Sequence, residues 1–113
     1  MDAYLAGSAQ RWNVALQRVP DQPFVLYGAG SHSTRLLPRL AEAQRRLLLA
    51  IVDANANLHG KRLGAWTVQP PEALAQYHGL TVLISSYRSE LQIARSLRQR
   101  YPAQPLVLMY HHV

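Results

Sequence analysis

Four short apolar runs, Phe24 to Tyr27, Leu47 to Val52, Thr81 to Ser85 and Leu106 to Tyr110, do not alternate with polar residues. A strand with one wet face alternates, so continuous runs of this length fit strands covered on both faces, as in a parallel sheet. Parallel neighbours need long crossovers, and helical patterns lie between the runs. The expected fold class is therefore α/β: a doubly wound domain with a short parallel sheet and helices on both faces. At 113 residues the chain fits one domain over 1–113, with an N-terminal helix within 1–20 and a core over 24–110.

The first helix is expected over 2–18, where Leu5, Ala9, Trp12, Leu16 and Val19 recur at three- and four-residue spacing and Pro20 to Pro23 stop it. A second is expected from Ser31 to about Gln44, turning Leu36, Leu37, Leu40 and Ala41 inward, with Pro38 kinking it or shifting its start. Pro70-Pro71-Glu72 opens a short helix that Gly79 ends. A last helix is expected from about Tyr87 to Arg100, with Leu91, Ala94, Leu97 and Tyr101 inside. Between Asp53 and Pro70 one short edge strand is expected near Trp66 to Val68.

The run from Phe24 continues into Gly28-Ala29-Gly30-Ser31-His32-Ser33, a strand passing through Gly-x-Gly-x-x-Ser into a helix. This is the Rossmann-like arrangement. The first glycine permits the tight turn, the second lets backbone N–H groups approach a pyrophosphate, and the helix start carries partial positive charge. The third position is normally glycine, for helix–strand packing, and here it is Ser33. Asp53 ends the second run 23 residues after Gly30, near the roughly 20-residue spacing of a ribose-binding carboxylate. The spacing points to a nucleotide ligand; the alternative is a domain that has kept the fold and lost its ligand.

These residues resemble a known family. Gly28 to Ser33 is similar to the Gly-x-Gly-Gly-His-Gly loop in the N-terminal domain of bacterial sugar O-acyltransferases of the sialic-acid-modifying type. Ile51-Val52-Asp53, the stretch Leu58 to Val68, Pro71-Glu72-Ala73-Leu74 and Val82 to Ser86 resemble further segments of that domain. Related modules accompany methyltransferases and polysaccharide-assembly enzymes. The resemblance spans about residues 24 to 110 and implies a nucleotide-sugar-binding role in surface-sugar metabolism. In that family acyl transfer resides on a separate β-helix of hexapeptide repeats, so the resemblance implies binding and not acyl transfer.

The expected ligand-facing set is Gly28, Gly30, Ser31, His32, Ser33, Asp53, Ser85 and Ser86. His32 reads either as a donor to a phosphate or sugar hydroxyl or as a solvated first-turn residue. Ser85 and Ser86 follow the third run, where they suit helix capping and the crevice at the strand ends; Tyr87, Arg88 and Glu90 are within reach of it. His59 and His78 precede glycines and read as turn residues, and adjacent His111 and His112 lack the spacing of a metal site. Cysteine is absent, which removes disulfides, thiol catalysis and thiolate zinc sites. There is no Gly-x-Ser-x-Gly elbow and no Tyr-x-x-x-Lys pair, Lys61 being the sole lysine, so hydride transfer by that dyad is excluded.

The net charge of +6 is carried by arginines that never run longer than two, which disfavours nucleic acid as a partner. No run approaches a membrane span and no basic n-region opens the chain, so a cytoplasmic location is expected. The reading is a non-catalytic or accessory module that binds a nucleotide-sugar or an NAD-like dinucleotide. The alternative is a protein-interaction module whose apolar N-terminal helix pairs with a second copy or with a sugar-modifying enzyme.

Overall fold

A computed structural model describes residues 12–111. Residues 12–18 are helical (α1), and the part of the first expected helix before Trp12 lies outside the described residues. The elements that follow are β1 (Phe24–Tyr27), α2 (Ser31–Leu36), α3 (Glu42–Leu47), β2 (Leu48–Val52), β3 (Arg62–Leu63), β4 (Trp66–Gln69), β5 (Thr81–Ile84), α4 (Glu90–Arg100) and β6 (Leu106–Leu108). Short 3-10 turns cover Leu37–Arg39, Ala56–Leu58 and Pro71–Tyr77.

The six strands stand in the order β3-β4-β2-β1-β5-β6. All neighbours are parallel except β3, which pairs antiparallel with β4 at the edge. Without β3, the order reads 3-2-1-4-5, that of a doubly wound sheet, and the fold is Rossmann-like. Every residue of β1 is buried because β1 is central, with Phe24 opposite Leu48 and Thr81 and Tyr27 opposite Val52 and Ile84. Successive side chains then enter different cores. Phe24 and Leu26 join Trp12, Leu16, Leu36 and Leu83 on one face, while Val25 and Tyr27 join Ala94, Leu97, Val82 and Leu74 on the other. This is why the runs carry no alternation: both faces of the sheet are covered, with Leu49 in β2 left exposed.

Several expectations about the helices and the edge strand need correction. Pro38 breaks the second helix outright: α2 stops at Leu36, a 3-10 turn carries Pro38, Leu40 is extended, and α3 restarts at Glu42. A proline inside a helix lacks the N–H and clashes with the carbonyl four residues back. Leu36, Leu37 and Leu40 still point inward, but Ala41 is exposed. The segment after Pro70 winds as a 3-10 helix. In α4, which begins at Glu90 and not Tyr87, Leu91 is exposed and Glu90 is buried in its place. The strand near Trp66 is present, but it is parallel to β2 and covered by β3, which the sequence reading omitted. No helix among the described residues is long and apolar enough to cross a membrane.

Candidate functional site

β1 and β5 lie side by side, yet the chain leaves β1 for α2 on one face and β5 for α4 on the other. In open α/β sheets, this divergence leaves a crevice beyond the carboxyl ends of the two strands. Here it measures about 860 Å3, within the range of pockets that hold small molecules.

The two loop glycines serve different purposes. Gly28 has φ +121°, and a Cβ placed on it would lie 2.4 Å from the carbonyl oxygen of Ser85. Its glycine is required by the chain itself, because the ends of β1 and β5 close on each other there. Gly30 has φ −91°, open to any residue, and a Cβ on it would meet nothing within 4 Å. The space it leaves opens into the crevice.

A line of hydrogen bonds runs beneath the loop. The indole Nε1–H of Trp12 donates to Tyr110 Oη at 2.7 Å. Tyr110 Oη is 2.5 Å from His32 Nε2, and His32 Nδ1 is 2.7 Å from Ser85 Oγ. Ser33 Oγ lies 2.7 Å from Ser85 Oγ and donates to the Gly28 carbonyl at 2.6 Å. One assignment of protons satisfies every link. Ser33 spends its proton on Gly28, so Ser85 donates to Ser33 and His32 Nδ1–H donates to Ser85. Neutral His32 then accepts from Tyr110 at Nε2. Burial and, secondarily, the Arg35 charge lower the His32 pKa from 6.5 to about 4, which keeps the ring neutral at pH 7. His32 is thus a buried strut with both nitrogens engaged, not a solvated first-turn residue.

Gly28, Gly30, Ser31, His32, Asp53, Ser85 and Ser86 all border the crevice. Ser33 does not: it is fully buried and turned toward the strand ends. Asp53 is committed to the backbone on both oxygens, Oδ2 accepting from Ala29 N–H at 2.8 Å and Oδ1 from Asn55 N–H at 2.7 Å. It ties the glycine loop to the end of β2, and each oxygen keeps a lone pair for a further donor. Ser86 Oγ accepts the Ser89 N–H in the turn before α4; the helix itself begins after Ser89 without a side-chain cap, so the expected capping by Ser85 or Ser86 is not made. His59 donates to the Asp53 carbonyl and belongs to the turn beyond β2. Arg35, Arg88 and Asp53 are the charged side chains at the crevice, and Tyr87 stands half exposed at its edge. The Tyr27 phenol at its inner end stays protonated, its pKa raised by burial and then by Asp53 and Glu72.

Glu90 stays out of the crevice. Fully buried at the start of α4, its carboxylate accepts the N–H groups of Met109 (2.5 Å) and Tyr110 (3.0 Å), and His111 Nδ1 lies 2.8 Å away. The positive end of α4 helps to carry this charge. Tyr110 itself was read as the last residue of a strand; β6 ends at Leu108, which frees its side chain to reach His32. Nothing in the spacing marks that role.

The chain resembles the crystal structure of UDP-D-quinovosamine 4-dehydrogenase from Vibrio fischeri, with a TM-score of 0.58 and 21% identity over 77% of this chain and 76% of that one. The likeness is one of fold. No family model and no curated protein matches the sequence, so the resemblance to the sugar O-acyltransferases rests on its short motifs alone.

Proposed function

We propose that the crevice binds a nucleotide-type ligand, a nucleotide-sugar in first place, and that the chain acts as a binding module in sugar metabolism without turnover of its own. The observation that carries this reading is Gly30. It is the loop glycine for which the protein supplies no internal reason, and its missing side chain leaves the backbone open at the crevice. Gly28, Ser31 and His32 would line the phosphate region with it, Asp53 would take ribose or sugar hydroxyls on its remaining lone pairs, and Ser85 and Ser86 would border the far side. Ser33 would act from beneath, by holding Gly28. Arg35 and Arg88 suit the negative charge of a diphosphate. The choice of a nucleotide-sugar over a free dinucleotide draws on the sequence motifs and on a fold neighbour whose name refers to a UDP-sugar.

Calorimetric titration with UDP-N-acetylglucosamine, UDP and NAD tests the proposal. Saturable binding of the UDP compounds, abolished by Gly30→Asn without loss of stability, is the expected result. Failure of all three to bind or to raise Tm with concentration refutes it and leaves the protein-interaction reading.

A further inference from the structure

We infer that Tyr110 is a positioning residue for both walls of the crevice, fastened there by the buried carboxylate of Glu90. One wall is the first turn of α2, where the Tyr110 hydroxyl meets His32 Nε2 at 2.5 Å and the two rings sit edge to face at 5.5 Å. The other wall is the loop after β5, where the Tyr87 ring meets Tyr110 at 5.0 Å and 84°. Tyr110 is thus in direct contact with a crevice residue on each side of the β1–β5 divergence.

Its own place is set from behind. Glu90 accepts the backbone N–H groups of Met109 and Tyr110, and Trp12 donates to the phenol oxygen. Among the described residues this carboxylate is buried with no lysine or arginine bonded to it, and the two backbone N–H groups together with His111 Nδ1 offset the cost of burying it. Residues chosen only to fill the core would not need that carboxylate or a phenol oxygen: a leucine at position 90 and a phenylalanine at 110 would pack without polar demands. The polar atoms instead set one orientation of the Tyr110 ring and, through Nε2, hold in place the His32 ring whose tautomer the serines fix. With Nδ1–H held toward Ser85, the crevice floor keeps a fixed pattern of donors and acceptors.

The nucleotide reading enters this inference only through an affinity measurement, so a readout that needs no ligand accompanies it. Tyr110→Phe keeps the ring against Tyr87 and removes the oxygen alone. Long-range 1H–15N correlation of the His32 ring should give the Nδ1–H tautomer in both chains, because the serines fix it, with the Nε2 resonance moved toward that of an unbonded ring nitrogen in the variant. Affinity for UDP-N-acetylglucosamine should fall about tenfold, of the order of one net hydrogen bond lost to disorder of the floor. Glu90→Gln should move the Nε2 resonance in the same direction; if that variant does not fold, Tyr110→Phe alone decides. An Nε2–H tautomer in the wild type, or an Nε2 resonance unchanged by Tyr110→Phe, overturns the inference, as does unchanged affinity in a variant whose Nε2 resonance has moved. A wild-type chain that binds no nucleotide refutes the ligand instead, and the Nε2 resonance then decides the positioning role by itself.

Discussion

Replacing Gly28 by alanine should cost far more than replacing Gly30 by a larger residue, although the two lie in one loop. At Gly28 the new Cβ would sit 2.4 Å from the Ser85 carbonyl oxygen, more than about 1 Å inside van der Waals contact. That oxygen belongs to the backbone and cannot rotate away, so β1 and β5 must part. Overpacking of this kind costs about 1–3 kcal/mol. Holding a non-glycine residue at φ +121° adds about 1–3 kcal/mol more. The total, about 2–6 kcal/mol, is a large share of the roughly 5–15 kcal/mol that holds a domain folded. At Gly30 the added atoms meet nothing within 4 Å and φ is ordinary, while asparagine suits a helix N-cap. Gly30→Asn should therefore stay within about 0.5 kcal/mol of the wild type. Urea denaturation followed by far-ultraviolet circular dichroism measures both. Equal losses in the two variants, or a Gly28→Ala midpoint unchanged from wild type, would refute the division of labour between the glycines.

Acid should weaken the fold through His32, whose pKa is about 4 when folded against 6.5 for an unperturbed histidine. The unfolded chain takes up the proton first, so stability is complete above pH 6.5 and declines as the pH falls toward 4. The ceiling is about 3 kcal/mol, reduced by solvent in the crevice to about 1–2, and denaturation at stepped pH should show that slope diminished in His32→Asn. Ser33→Leu should lose about 1–3 kcal/mol by overpacking a fully buried site, seen as a lowered Tm; an unchanged Tm would mean that α2 starts elsewhere. Asp53→Ala should weaken UDP-sugar binding by about ten- to 150-fold if its remaining lone pairs meet ligand hydroxyls, whereas a carboxylate that only ties the loop to β2 predicts lower stability with affinity intact.

The sheet was legible in the sequence because burial on both faces leaves a mark that needs no partner information. Phe24 to Tyr27 could hardly be anything but a central strand. Much of the loop was legible for a similar reason: Gly28, Gly30 and Asp53 obey a spacing set by local geometry. The failures share one cause. Periodicity assigns apolar residues inward and charged ones outward, so it placed Leu91 in the core and missed Glu90, whose partners are the backbone N–H groups of Met109 and Tyr110 and the ring of His111, 19 to 21 residues further on. Tyr110 escaped notice likewise, since its role depends on β6 ending two residues before it and on His32, 78 residues away. Pro38 and the burial of Leu36, Leu37 and Leu40 were visible, but not that the helix would stop at Leu36 and restart at Glu42.

The polar line beneath the glycine loop joins stretches of chain that are remote from one another: Trp12 and Tyr110 are 98 residues apart, and His32 and Ser85 are 53 apart. A half-made line leaves buried donors or acceptors without partners, which costs more than having no line at all. Its links therefore favour forming and breaking together, as one cooperative unit within the native state. During folding, hydrophobic collapse can bring β1, β2 and β5 into register before residues 109–111 dock on Glu90, but the floor cannot close until they do. The sheet and the crevice are thus separable events in the life of the chain, the first driven by local and apolar contacts and the second by closure of its longest loops.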